Sequence, residues 1–288
     1  SEMEHHANIV PWQMLCGRKK ANLKVIPFTD EGVLDLEAYR GLITDRTRIV
    51  AVTHASNVLG TVNPVKEIVA HAHRHGIPVL VDGAQSIQHG VVDVSDIDCD
   101  FFVFSGHKVY GPNGIGVLYG KEKLMNDLPP YQGGGDMVAT VSFRKTTWNE
   151  LPFKFEAGTT NFTGAIALAA ALDYLTALGR EAVAEREQSL LERATAGLSS
   201  LRGLRIYGTA PRKVSVVSFL PGDIHQYDAG MILDKLGIAV RTGTHCAQPV
   251  MERFGISGTI RASIAFYNTE EEIDTLVKGV RKVTEMFD

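Results

Sequence analysis

Three short apolar runs constrain this 288-residue chain more than any other feature: RIVAVTH (48–54), IPVLVD (77–82) and DFFVFS (100–105). Continuous runs of this length predict strands covered on both faces, as in a parallel sheet. Between the first two, Asn63 suits a helix N-cap, Pro64 the first helical position and Gly76 the terminator. The resulting strand–helix–strand order predicts an α/β domain whose chemistry sits on loops at the strand C-termini. From Ala165 the pattern changes. AIALAAALDYLTALG and EAVAEREQSLLERATAGLSSL read as long helices. Short strands follow in KVSVVSF, IAVRTG and TIRASIAF, with a helix near 226–236 and a final amphipathic helix, EEIDTLVKGVRKVTEMF. This predicts a smaller α+β domain, and places the boundary near Leu175: a large domain over 1–175 and a C-terminal domain over 176–288.

Hydrophobic residues make up 44% and charged residues 22%, an ordinary globular balance. A net charge of −4 supplies no general electrostatic footprint for nucleic acid or an anionic membrane. No apolar run approaches the ~20 residues of a membrane span. The opening SEMEHHANIVPW lacks the basic-then-apolar order of a signal peptide. Cys16, Cys99 and Cys246 are few and far apart, which argues against a disulfide framework and leads us to expect the cytoplasm. The segment HAHRHG (71–76) resembles a metal motif but reads as a solvated last helical turn, where imidazolium suits the helix dipole; no metal site is expected.

The chemistry concentrates in FFVFSGHKVYGPNGIGVLYG (101–120). Alone, Lys108 reads as a lysine snorkelling at a strand end. Beside Ser105, Gly106 and His107 it gains a second reading: donors able to hold a phosphate around an amine able to condense with an aldehyde. In VLVDGAQSIQHG (79–90), Asp82 is either a turn cap or a carboxylate kept ionised by a buried cation such as a protonated pyridine nitrogen. Gln85 is placed to donate to a phenolic oxygen of the same ring. Arg261 sits inside the apolar pattern TIRASIAF, where a guanidinium calls for an anionic partner. Cys246, in THCAQ, is either an inert thiol or, in a cationic neighbourhood, a thiolate.

Together these segments resemble the class V aminotransferase superfamily of enzymes dependent on pyridoxal 5'-phosphate (PLP). Within it, the chain resembles the group II cysteine desulfurases and selenocysteine lyases of the SufS type. The carriers are EHHAN (4–8), THASNVLGT (53–61), VDGAQ (81–85), FSGHKVYGPNGIG (104–116), GGGDM (133–137), FEAGT (155–159), RTGTHCAQP (241–249) and RASIAFYN (261–268). The resemblance implies the fold-type I α/β architecture, with a mixed, mostly parallel sheet in the large domain. It implies that Lys108 carries the cofactor, Asp82 faces its ring nitrogen and Gln85 its phenolic oxygen. His6 corresponds to the histidine stacked on the ring and is a candidate proton relay. Ser105 and His107 correspond to phosphate ligands. Thr159 corresponds to a phosphate ligand that reaches in from the other subunit of a homodimer. Asn57 and Arg261 correspond to groups on the substrate carboxylate, with Arg241 in the same active-site loop. Read without the resemblance, His6 is a surface histidine and Asn57 a turn residue.

The resemblance makes Cys246 the sulfur-accepting cysteine. L-cysteine would become L-alanine, leaving a persulfide on Cys246, and the sulfur would pass to a sulfur-acceptor protein of the SufE or SufU type for iron–sulfur cluster assembly. L-selenocysteine would react without needing the persulfide. Only 14 residues separate Cys246 from Arg261, similar to the group II type, whose cysteine loop is restrained and whose turnover is slow until an acceptor engages. Relatives of this type are longer, so an N-terminal segment is expected to lie outside this sequence. Thr244 stands where many relatives have histidine. Competing readings are another PLP-dependent reaction, which gives Cys246 no role, and a silent module that only dimerises or binds a sulfur carrier.

Overall fold

A computed structural model describes residues 1–287. In it the three apolar runs are neighbouring strands, β1 (Val50–Thr53), β2 (Val79–Asp82) and β3 (Phe101–Ser105), mutually parallel. Strand β4 (Gly116–Gly120) pairs antiparallel with β3, giving the order β1-β2-β3-β4. Each strand is shorter than its apolar run. The register sets Thr53 opposite Asp82 and Asp82 opposite Val103, so the polar ends of the strands share one edge of the sheet.

The helix Val65–Arg74 connects β1 to β2 and buries Ile68, Val69 and Ala72 in one core with Val52, Val79, Val81 and Phe102. Each large aliphatic side chain removed from water there contributes about 1.5–3 kcal/mol. The start of that helix differs from the expected one. Pro64 occupies the cap position, and Asn63 is buried with its Nδ2 donating to Thr53 O at 2.9 Å. The amide satisfies a carbonyl at the end of β1, where an unmet acceptor would cost more than an uncapped helix. The last turn is also less solvated than expected. His73 pairs with Asp100 at 2.8 Å and Asp98 at 3.3 Å, and His71 has a buried Nε2 with no partner. Asp100 also accepts the Val79 N–H at 2.7 Å, so this cluster fixes the entry of β2.

Strands β5 (Val138–Val141) and β6 (Thr146–Trp148) form a separate, exposed hairpin. Helices Phe162–Leu178 and Arg180–Ser199 follow, bent by 75° at Gly179; Leu175 is buried in the first of them. No single helix among the described residues is long and apolar enough to cross a membrane. The rest of the chain builds a second sheet of β7 (Leu204–Tyr207), β8 (Val216–Pro221), β9 (Arg241–Gly243) and β10 (Thr259–Ser263). Its order is β7-β8-β10-β9 and every pair is antiparallel. The second core packs Leu190 and Leu198 against Phe219, Leu233, Ile260 and Val280.

Two features tie the sheets together. Ala247, Val250 and Met251, just beyond Cys246, are buried in the core of the first sheet. Glu187, 2% exposed, accepts from Phe266 N at 3.1 Å and Ser215 Oγ at 2.8 Å, and meets His89 Nδ1 at 2.5 Å. That carboxylate joins the loop after β2, which carries Gln85, to the segment after β10, the strand that carries Arg261.

Candidate active site

The shared strand edge opens into a cavity of about 360 Å³. Thr53 and Asn57 line it from the end of β1, Asp82 and Gln85 from β2, and Ser105, His107 and Lys108 from β3. Six residues singled out in the sequence therefore meet on one wall: Asn57, Asp82, Gln85, Ser105, His107 and Lys108.

Lys108 lies in a single 3-10 turn, Gly106–Val109. The turn is tight because Gly106 N donates to Ile115 O at 2.8 Å and Gly111 N to Gly106 O at 3.0 Å. A Cβ on Gly106 would stand 2.7 Å from Ile115 Cγ2, and one on Gly111 2.9 Å from Gly106 O, so both positions need glycine. Among the described residues the Lys108 amine has no hydrogen-bond or ion-pair partner. Burial lowers its pKa, Asp82 opposes that shift and Arg261 adds to it. An amine so placed loses its proton more readily than a surface lysine. Asp82 accepts the Ala84 N–H at 2.9 Å on Oδ1. Burial pushes its carboxyl pKa up; the Ala84 bond pulls it back and Glu4 pushes it further up.

The histidine on the cavity is His5, not His6. Both belong to the segment around the 3-10 turn His6–Asn8, where neighbouring side chains point about 120° apart. His5 Nδ1 accepts the Ala7 N–H at 3.1 Å, which leaves a neutral ring's proton on Nε2. Burial lowers the His5 pKa, with Lys108 adding to the shift. His6 faces the other way, toward the cysteine loop: its N–H donates to Cys246 O at 2.7 Å and its Nε2 accepts the Gln248 N–H at 3.0 Å. The turn is anchored by Glu4, which is buried and accepts Asn8 Nδ2 at 2.8 Å and Thr53 N at 3.0 Å. Glu4, Asn8 and Thr53 were not singled out in the sequence, and His5 was weighed there only as a possible metal pair with His6. The four-residue spacing of Glu4 and Asn8 was the available signal.

On the C-terminal side, Arg261 and Arg241 face each other across β10 and β9. Arg261 donates to Asn57 O at 2.9 Å, but its Nε is buried with no partner. Burial and then Arg241 hold its pKa below the usual arginine value. Two guanidiniums without a carboxylate between them form a donor set for an incoming anion. Asn57 also donates through Nδ2 to His245 O at 2.7 Å, which ties Cys246's neighbour to the pocket wall. The Cys246 thiol is exposed. Thr159 is exposed in the loop before the helix Phe162–Leu178 and does not reach this chain's own cavity.

These residues fit PLP. An unpartnered amine, a buried carboxylate and the Gln85 amide stand beside the Ser105 hydroxyl and the His107 imidazole, and the orphaned Arg261 Nε calls for an anion nearby. An α/β sheet presenting such a set at its strand ends is the architecture of a PLP-dependent enzyme.

The chain belongs to the class-V aminotransferase family, whose pattern matches residues 1–276. Enzymes of this family are PLP-dependent. It is 54% identical over 284 residues to a cysteine desulfurase of Salmonella choleraesuis (strain SC-B67), covering 98% of this chain and 70% of that protein. Its fold superposes on the crystal structure of the cysteine desulfurase CsdA from Escherichia coli with a TM-score of 0.94 at 40% identity, over 99% of this chain and 71% of that one. The apo cysteine desulfurase from Thermococcus onnurineus gives 0.96 at 39% identity, over 99% and 72%.

Proposed function

We propose that this chain is a PLP-dependent cysteine desulfurase that converts L-cysteine to L-alanine and holds the sulfur as a persulfide on Cys246. The observation that carries the reading is the docking of both the Cys246 loop and Arg261 onto Asn57, on the wall of the cavity that holds Lys108. Bound PLP supplies an electron sink for the substrate's Cα, with Lys108 as its attachment point, Asp82 and Gln85 on the ring, and Ser105 and His107 on the phosphate.

Arg261 and Asn57 hold the substrate carboxylate at the cavity rim. The Lys108 amine, biased toward its free-base form by burial, takes the α-proton. The Cys246 thiolate attacks the substrate sulfur. A new S–S bond forms, the Cβ–S bond breaks with its electron pair left on carbon, and protonation of that carbon completes alanine. The sulfur stays on Cys246 for a thiol acceptor, which we take to be a sulfur-acceptor protein of the SufE or SufU type feeding iron–sulfur cluster assembly. The working form is a cytoplasmic homodimer in which Thr159 completes the neighbouring subunit's phosphate site. L-selenocysteine is a second substrate, because selenium leaves without the persulfide step.

The test is alanine formation by PLP-loaded protein from each substrate. Cys246→Ala lowers the cysteine reaction by roughly a thousandfold or more while selenocysteine lysis persists. Equal loss of both reactions refutes the assigned role of Cys246. Full retention of the cysteine reaction points to another class-V chemistry.

A further inference from the structure

The cysteine loop is held in a conformation it would not adopt by itself. His245 and Cys246 are consecutive non-glycine residues with φ of 53° and 54°. The left-handed region is disfavoured for any residue with a Cβ, and such strain persists only where surrounding contacts over-determine the backbone. Three groups supply those contacts. Asn57 Nδ2 holds His245 O at 2.7 Å, and the His245 ring meets Thr259 Oγ1 at 2.9 Å. The third group is His6, which grips both sides of Ala247 at once, by its N–H on Cys246 O at 2.7 Å and by its ring Nε2 on Gln248 N at 3.0 Å.

The second of these bonds solves a local problem. The helix Gln248–Phe254 begins after Ala247, which has no side chain able to cap it. Its first N–H groups lack intrahelical acceptors. His6, 242 residues away in sequence, accepts the one on Gln248. The turn that presents His6 is itself rigid, because buried Glu4 ties it to Asn8 and to β1. His5 faces the cavity and His6 faces the loop, so one short turn contacts both the reaction space and the nucleophile's backbone.

We propose that His6 is a positioning residue: it clasps the Cys246 loop in its strained conformation, and this clasp is one of the three contacts that hold the loop there. The inference rests on the desulfurase reading above. It predicts that His6 matters to the step that uses the Cys246 thiol and not to substrate binding or to chemistry confined to the cavity.

The experiment compares His6→Ala with His6→Gln, whose side-chain carbonyl can accept the Gln248 N–H in place of Nε2. Two measurements are made on each PLP-loaded protein: hydrogen exchange at the Gln248 amide, and the kinetics of alanine formation from L-cysteine and from L-selenocysteine. In His6→Ala, exchange at Gln248 accelerates by roughly tenfold, the value for losing one ordinary hydrogen bond. kcat for L-cysteine falls by a comparable factor, KM for L-cysteine holds, and selenocysteine lysis stays within about twofold of the parent. His6→Gln restores both the protection and kcat. Unchanged exchange at Gln248 overturns the clasp whatever the activity. Parallel loss of both reactions, or a raised KM, overturns it in favour of a role inside the cavity. Should the parent lack desulfurase activity, the function reading fails, while exchange in the two variants still decides whether the clasp exists. If His6→Ala does not fold, the clasp predicts near-parental exchange in His6→Gln, and fast exchange there refutes it.

Discussion

Arg261 and Arg241 stand opposite each other on antiparallel strands, an arrangement that destabilises a sheet unless something anionic joins them. With the Arg261 Nε buried and unpartnered, the pair is poised for a carboxylate. Replacing Arg261 by Gln should therefore raise KM for L-cysteine by roughly 10- to 100-fold, the range for a lost charge-assisted hydrogen bond, with a smaller change in kcat. Steady-state kinetics decide this, and an unchanged KM would place the substrate carboxylate elsewhere. At this scale the sequence was legible wherever a reactive side chain ends a strand or begins the turn after it: Asp82, Ser105, His107 and Lys108 all fall on the cavity wall. It was not legible at the doubled histidine. Two adjacent residues in a turn face different directions, and only the path of the backbone shows that His5 takes the cavity and His6 the loop.

Among the elements, the junction of β2 with its following loop carries Asp82 and Gln85 onto the cavity wall, and Gly83 decides whether that junction closes. A Cβ there would sit 1.8 Å from Phe102 Cζ, inside the buried ring of the next strand. Gly83→Ala must displace either the ring or the Asp82 turn. We expect a loss of about 1–3 kcal/mol in urea unfolding, as for overpacking elsewhere. We also expect weaker retention of added PLP, read as lost visible absorbance after gel filtration. Retention at the parent level would show that Phe102 moves instead. Element types were readable from apolar runs and helical periodicity, because those patterns reflect which faces are covered. The β5–β6 hairpin escaped: its residues are mostly exposed or half-buried, so no apolar pattern marks it. The start of the helix Val65–Arg74 was also misread, because a tertiary demand from Thr53 O took Asn63 away from capping.

For the whole molecule, pH acts through partly buried histidines. Burial lowers the His54 pKa from 6.5 to about 4, with Arg212 adding to the shift. The folded state thus refuses a proton that the unfolded chain accepts below about 6.5. Stability is insensitive to this group above that pH and falls as pH drops from about 6.5 toward 4. The loss is about 2 kcal/mol at pH 5 and about 3 kcal/mol at the lower limit of the window. Urea midpoints at pH 7.5 and 5 measure the slope, and His54→Gln should flatten it by that amount. An unchanged slope in the variant would show that His54 is not the group responsible. His245, also lowered by burial to about 4, contributes in the same direction.

By itself the sequence determined the order of the covered strands and the long helices, the α/β class of the first part, and the residues whose chemistry makes PLP a sensible cofactor. These follow from local pattern: covered strands must be continuously apolar, and reactive groups collect where strands end. Only the tertiary structure decided what depends on segments far apart in the chain. It turned His6 away from the cavity and onto Gln248, set Arg241 against Arg261, and placed buried Glu187 between the loop after β2 and the segment after β10. Each of these contacts joins residues whose separation in sequence carries no signal. Their geometry is fixed by packing and by the need to pair every buried polar group.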